Sequence, residues 1–554
     1  MTRMAAGRPL PRIAPVRRER HVVTVVAWVV LVVAPLVPGA LATGSALMLL
    51  AVPVESLLFL LLLVVTPWRP ARWLLAGGYG LLVVVAALLA GLDLGFRFTV
   101  DRAFVPSADA GQLIAAYGVV RDAVGPVTAV LLVALIVVAA AAAAWGCAWA
   151  ALRVAATMRR PASEGRRSRH ALAALTAVWV CAALVGAHLA PGVPAAASDA
   201  IGAIGSTSAR EAAAIRQEAE FAAAERSDPY RDVPSARILS ALRGKDVVVA
   251  FIESYGRTAV QGTSFSEGVD RVLRAGDAQL TRDGYSARSA FLTSPTFGGV
   301  SWLAHSTLQT GLWIDSQATY DHVVGTDRLT LSGAFRSAGW RTVSDVPSDT
   351  EPWPVGSDFY HYDEQLNADN VGYRGPTFSY ARVPDQYTWE HFYDSELAGP
   401  HASTMAEIDF VSSHTPWTPL PHPVPPADLG DGSVFDPQPA EGRSPADVWR
   451  DPADVQRLYG ESIQYSLGAM FSFLHEHDEK DLVLIVLGDH QPARIVSGRG
   501  ADHDVPIAII SKDPQVLDRI SSWHWDAGTL PSPDAAVWPM DAFRDRFFSA
   551  FSPG

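Results

Sequence analysis

At 554 residues the chain is too long for one ordinary domain, and its 44 basic and 57 acidic residues leave a formal charge of −13. The charge is segregated: residues 1–191 carry 17 Arg, no Lys and seven acids, and the remainder carries 27 basic and 50 acidic residues. An acidic second half argues against nucleic acid as partner. The only cysteines, Cys147 and Cys181, fall in apolar runs, so the second half has no disulfide framework, thiolate zinc site or catalytic cysteine.

The first twenty residues are basic, with Arg3, Arg8, Arg12, Arg17, Arg18 and Arg20. Apolar runs follow at about 21–40, 44–66, 73–92, 126–152 and 171–190, each long enough to cross ~30 Å of hydrocarbon as a helix. The pattern predicts a membrane domain of five helices over 1–191. Arginines mark three loops: the N-terminal tail, Arg69 and Arg72, and the group Arg153, Arg159, Arg160, Arg166, Arg167 and Arg169. Positive loops stay inside. The expected protein is thus a multi-pass plasma-membrane protein with a cytoplasmic N-terminus, and everything after the fifth span lies outside. Glu55, beside Pro53, is the one acid within a span. It is either functional or close to an interface.

Residues 192–243 read as a helical connector. A Pro/Ala segment at 191–197 precedes an Ala/Glu-rich stretch at 206–226 that lacks Pro and Gly, which suits a surface helix.

From residue 244 to 554, strand-like and helix-like runs alternate. Residues 246–254, 340–346, 406–414, 481–490 and 505–511 are short, β-branched and almost continuously apolar, while 329–339 and 455–477 read as amphipathic helices. This alternation predicts an α/β sandwich around a mostly parallel sheet, with ligands beyond the carboxyl ends of its strands.

Polar residues collect at those ends: Glu253 in 246–254, Asp489 and His490 in 481–490, and His414 in 406–414. Ser301 follows the strand-like run 285–294 and the pair Gly298–Gly299, at the start of an apolar, helix-compatible segment. Two carboxylates, a histidine and a hydroxyl could close around one divalent cation, which would make a serine alkoxide accessible near neutral pH. His414 could bind a phosphate oxygen or act as general acid. Each residue alone has a plainer explanation. Ser301 could be a helix N-cap, Glu253 a cap, Asp489–His490 a turn, and His414 a loop histidine against Trp417.

Taken together, Glu253–Ser254 at a strand end, Ser301 after GGV, His414 in SHTPW and Asp489–His490 in LGDHQP resemble a known group. It is the lipoteichoic acid synthase and sulfatase-like branch of the alkaline phosphatase superfamily. The resemblance implies an alkaline phosphatase-like α/β sandwich and one catalytic divalent cation, often Mn²⁺, with Zn²⁺ or Mg²⁺ as alternatives. It also implies a covalent phospho-intermediate on Thr or Ser. Carried over, Glu253, Ser301, Asp489 and His490 would be the metal ligands, Ser301 the nucleophile, and His414 and Trp353 substrate contacts.

The expected reaction is transfer of a phosphoglycerol- or phosphoethanolamine-like group from a membrane phospholipid to a cell-envelope glycan or lipid. A hydrolase of the same fold and an inactive scaffold are the alternatives. Three departures stand out. Pro354, Val355 and Gly356 occupy the place of the synthases' nearby arginine. Serine replaces their usual threonine, and Thr296, the other candidate, precedes the glycines. Ser301 is followed by Trp302, Leu303, Ala304 and His305, not by the x-Pro-x-Arg of formylglycine sulfatases. His305, one turn after Ser301, and His503 could each touch phosphate or a second metal, or be structural.

Overall fold

A computed structural model describes residues 16–159 and 162–552. Arg3, Arg8, Arg12 and Arg160 of the charge pattern lie outside the described residues. The chain divides into two compact units, one of Met1–Arg97 with Arg102–Ala214, the other of Phe98–Asp101 with Ile215–Gly554.

The first unit is helical. Its helices are α1 (Val16–Val33), α2 (Val37–Thr43), α3 (Val54–Val65), α4 (Arg69–Thr99), α5 (Pro106–Val124), α6 (Pro126–Met158) and α7 (Ala162–Leu184), with α8 starting at Asp199 and running to Arg226. Among the described residues, three helical stretches are long and apolar enough to cross a membrane: His21–Thr43, Arg69–Thr99 and Pro126–Met158. These cover three of the five expected runs; the other two hold shorter apolar helices, Val54–Val65 and Arg169–Leu184, so a count of five is not confirmed.

The second expected run is broken at Pro53. Its ring cannot sit inside a regular helix, so the chain before it forms a short 3₁₀ turn and extended backbone. Only 12 residues of helix remain, about 18 Å of rise. The fifth expected run ends early as well, because His188–Ala190 is extended.

Apolar side chains of α6 such as Val127, Leu131, Leu135 and Ile136 are exposed on its surface, a pattern that suits lipid rather than water. Inside, Ser56 Oγ donates to the Leu31 carbonyl at 2.7 Å and lies 2.9 Å from the Tyr79 hydroxyl, tying three helices by polar contacts. Glu55 is fully buried in the first turn of α3, and its Oε1 accepts the Ala200 N–H at 3.0 Å at the start of α8. A carboxylate serving two helix N-termini is stabilised by both. The helix expected over 206–226 begins seven residues earlier.

The second unit is built on a nine-stranded sheet. Its elements in chain order are β1 (Asp246–Ile252), α9 (Ser266–Arg282), β2 (Ser286–Thr293), α10 (Ser301–Thr310), α11 (Leu331–Ser337), β3 (Arg341–Val346), β4 (Glu364–Asn367), α12 (Asp385–Phe392), β5 (Thr404–Phe410), α13 (Pro452–His477), β6 (Leu482–Gly488), β7 (Asp504–Ser511), β8 (Asp526–Ala527), β9 (Val537–Pro539) and α14 (Ala542–Phe551). The order across the sheet is β8-β2-β7-β6-β1-β5-β3-β4, with β9 also on β2.

Five strands, β6-β1-β5-β3-β4, form a parallel block. Beyond it, β7 pairs antiparallel to both β6 and β2. The sheet is therefore mixed: the expected mostly parallel arrangement holds for most of its pairings, and β7 and β8 run against the rest. The link from β6 to β7 carries no long helix, and a parallel neighbour would require a crossover.

Alternate side chains of each strand enter two cores. Val248, Ala250, Ile252, Ile408 and Val486 pack with α9, α12 and α13, while Val247, Val249, Phe251, Met405 and Ile485 pack with α10, α11 and α14. Both faces are covered, which explains why the strands read as unbroken apolar runs.

Candidate active site

Pairing places the ends of β1, β5 and β6 side by side: Ile252 is opposite Phe410 on one flank and Gly488 on the other. Residues just past these ends, Glu253, Val411–His414 and Asp489–His490, thus meet at one edge with strands ~5 Å apart. The two antiparallel steps through β7 return β2 to the same direction as β6, so the segment after β2 arrives at that edge too. There the Gly298 N–H donates to the Gln491 carbonyl at 2.9 Å, and Ser294 Oγ to the Asp489 carbonyl at 2.6 Å.

Ser301 is the first residue of α10. It is not the N-cap. That position belongs to Val300, held at φ +60° and ψ +45° with no side-chain cap. A β-branched residue in left-handed backbone is strained by ~1–3 kcal/mol. Ser254, next to Glu253, has φ +58°, so strained residues stand beside both groups.

Ser301 Oγ donates to Glu253 Oε2 at 2.9 Å and lies 3.2 Å from His490 Nε2. His490 Nε2 is 3.4 Å from both Glu253 Oε1 and Asp489 Oδ2. His490 Nδ1 faces the Gln491 carbonyl at 2.8 Å, which leaves Nε2 as the free ring position.

Asp489 Oδ1 accepts the main-chain N–H groups of Ser254 and His490, both at 2.7 Å. Its Oδ2 is buried with no hydrogen-bond partner. A buried, half-satisfied carboxylate is costly unless a positive charge meets it. Burial and the Glu253 charge push Asp489 up to about 7. Burial opposes ionisation of Glu253 as well, but His490 and His414 hold it down at about 2. Glu253, Asp489 and His490 bring their donor atoms within 4.8 Å of one another. With the Ser301 hydroxyl they fit a divalent cation in number and chemistry.

His414 lines the same cavity, about 260 Å³ in volume, together with Ser301, Tyr380 and Trp417. Its ring stacks on Tyr380, not Trp417, with centroids 3.6 Å apart, and its Nδ1 bonds the Thr415 carbonyl at 2.6 Å. His305 also lines the cavity and faces Asp409 and Glu407. Burial opposes its protonation, yet the Asp409 and Glu407 carboxylates raise it to about 9.

Trp353 is not brought to Ser301. It lines a separate cavity of about 400 Å³ that shares Val346, and packs 5.3 Å from Tyr360. Thr296 is buried against Ser294 Oγ, 3.3 Å away, and His503 packs on Phe297 at 5.2 Å; neither lines the cavity.

Sequence reading missed Asp409, Glu407 and Tyr380. The first two left a signal: acids at alternate positions of an otherwise apolar strand must point together at one face.

No family model matches the sequence, and no curated protein is similar to it. Solved structures do resemble it. The lipoteichoic acid synthase LtaP of Listeria monocytogenes is 13% identical, with a TM-score of 0.31 over 51% of this chain and 68% of that one. The phosphoglycerol transferase GacH of Streptococcus pyogenes, in complex with sn-glycerol-1-phosphate, is 12% identical, with a TM-score of 0.35 over 57% and 87%. The integral membrane lipooligosaccharide phosphoethanolamine transferase A of Neisseria meningitidis is 12% identical, with a TM-score of 0.42 over 96% and 95%. The structural neighbours of this chain are thus a lipoteichoic acid synthase, a phosphoglycerol transferase and a phosphoethanolamine transferase.

Proposed function

We propose that the chain is a membrane-anchored, divalent-cation-dependent phospho-group transferase that carries the group transiently on Ser301. One observation carries this reading: Ser301 Oγ sits against Glu253 and His490 beside an unpartnered, buried Asp489 oxygen. Glu253, Ser301, Asp489 and His490 would hold the cation. Mn²⁺ is the first choice, and the same oxygen and nitrogen donors also accept Zn²⁺ or Mg²⁺. When bound, it would favour the serine alkoxide and offset charge at phosphorus.

Ser301 Oγ gives its proton to solvent, Glu253 being held ionised, and attacks phosphorus in line. The new Oγ–P bond forms as the bond to the donor's leaving oxygen breaks. His414 Nε2, with Nδ1 engaged by Thr415, gives that oxygen a proton. In the second half the acceptor hydroxyl returns a proton to His414 and attacks phosphorus. Ser301 leaves and takes a proton back from solvent.

With the two shorter apolar helices, Val54–Val65 and Arg169–Leu184, also crossing the membrane, the arginine distribution supports a cytoplasmic N-terminus and an extracytoplasmic site. A site held at the outer surface suits a phospholipid donor and a cell-envelope glycan or lipid acceptor. Trp353 in a separate cavity, with no arginine beside it, speaks for a headgroup pocket unlike that of glycerol-phosphate synthases.

The test uses the full chain in vesicles of phosphatidylglycerol and phosphatidylethanolamine with Mn²⁺, comparing wild type with Ser301→Ala by intact mass and peptide mapping. A metal-dependent adduct on Ser301, absent from the variant, is expected. Headgroup release that persists in Ser301→Ala, or no adduct and no release with either lipid, overturns the reading.

A further inference from the structure

A second donor cluster borders the Ser301 cavity, outside the set just described: His305 and Asp409 line the cavity, and Glu407 lies against His305. His305 projects from α10 one turn after Ser301, and Glu407 and Asp409 project from β5 towards it. Their donor atoms all fall within 4.8 Å of one another. His305 Nδ1 is 3.4 Å from Asp409 Oδ2 and 3.6 Å from Glu407 Oε1. Those separations are long for a charge-assisted hydrogen bond, which closes to about 2.7–2.9 Å. They match the ~3.4 Å between ligand atoms placed ~2.1 Å from a shared tetrahedral ion. The Glu253–Asp489–His490 cluster shows the same 3.4 Å spacing.

The surroundings hold these three side chains in place. Glu407 Oε2 accepts hydrogen bonds from Gln309 Nε2 and, at 3.0 Å, from the Tyr362 hydroxyl, which leaves Oε1 towards His305. Phe251 stacks on the His305 ring with centroids 3.9 Å apart. Asp409 Oδ1 is buried and has no hydrogen-bond partner. Outer groups of this kind orient ligands in metal sites.

The charge of the cleft makes a second argument. Glu253, Asp409 and Asp489 line it, and among the described residues no lysine or arginine does. A phosphoester entering such a cleft meets carboxylates, and a single divalent ion at Asp489 leaves Asp409 facing it, with Glu407 behind His305.

We propose that His305, Glu407 and Asp409 hold a second divalent cation facing the same bound phospho-group as the first. The inference deepens the proposed function and rests on it only for the identity of what the cation faces. The donor cluster stands by itself.

The test counts Mn²⁺ on the purified full chain in detergent, by equilibrium dialysis and elemental analysis, with thermal unfolding as a folding control. Wild type is expected to take two ions per chain. Asp409→Asn and Glu407→Gln should each take one, and Glu253→Gln should also take one. In the frozen wild-type protein, the electron paramagnetic resonance spectrum should show Mn–Mn dipolar coupling that Asp409→Asn removes. Saturation of wild type at one ion overturns the proposal without needing any variant, since His305 and Asp409 are then only an ion pair. Two ions retained in both folded Asp409→Asn and folded Glu407→Gln overturn it as well. A Glu253→Gln chain that keeps both ions tells against the first site instead, so the two readings fail separately.

Discussion

The Asp489 carboxylate accepts the main-chain N–H of Ser254 at 2.7 Å, joining the ends of two neighbouring parallel strands that lie 235 residues apart in sequence. The same turn holds Glu253, whose Oε1 accepts the Ser254 hydroxyl at 2.8 Å. Ser254 therefore orients both carboxylates of the proposed cation site, one through its backbone and one through its side chain.

Ser254→Ala removes only the side-chain half of this arrangement. Divalent-cation affinity is expected to fall by about 10–100-fold, the usual effect of losing an outer-shell partner. Stability should change by less than ~1 kcal/mol. A competition titration with a fluorescent chelator checks the affinity, and an unchanged value would show that Ser254 acts through its backbone alone.

Val300→Gly relieves the left-handed strain at the entrance to α10. The variant is expected to gain about 1 kcal/mol in unfolding free energy. It should also lose about tenfold in the rate of Ser301 adduct formation, because the nucleophile is less firmly placed. A rise in stability with no fall in rate would show that the strain does not position Ser301.

Asp228→Ala tests the anchoring of the segment that precedes β1. Asp228 accepts Arg544 Nη1 and Nη2 at 3.0 and 3.1 Å, and Arg328 Nε lies 3.3 Å away, all three side chains being buried. Removing the acid leaves two buried arginines short of charge. A loss of about 3–5 kcal/mol is expected in denaturant unfolding of the full chain.

Asp345 is fully buried, with neither carboxylate oxygen hydrogen-bonded. Burial, aided by the Asp409 and Glu396 charges, raises it to about 8. The folded chain therefore keeps a proton that the unfolded chain sheds near pH 4. This group's contribution is full at low pH and is lost as pH rises from about 4 to about 8. Asp345→Asn lacks that linkage, so its stability relative to wild type should climb by roughly 1 kcal/mol per pH unit through that window. Melting temperatures from pH 4 to 9 check the slope, and parallel curves would contradict it.

The strands around the site were legible because both their faces are buried. A strand covered on both sides is apolar at every position, so the first polar residue after it stands out. Glu253 and Asp489 were found that way, and Ser301 by the glycine pair before it. Glu407 and Asp409 were not, because the strand-like run containing them was read only as far as its last polar residue, His414. The separate location of Trp353 was also hidden, since its place depends on how residues 346–367 fold back along β3 and β4.

The amino-acid order by itself determined the apolar helices, the α/β alternation and the identities of the groups at the strand ends. Hydrophobic periodicity and strand punctuation are local, and a sequence displays local properties directly. Tertiary structure alone decided two things: the reversal of β7, and the meeting of His305 with Glu407 and Asp409. Each depends on which chain segments become neighbours, and that is settled by sheet register and packing between residues far apart in the chain, such as Asp504 and Thr293.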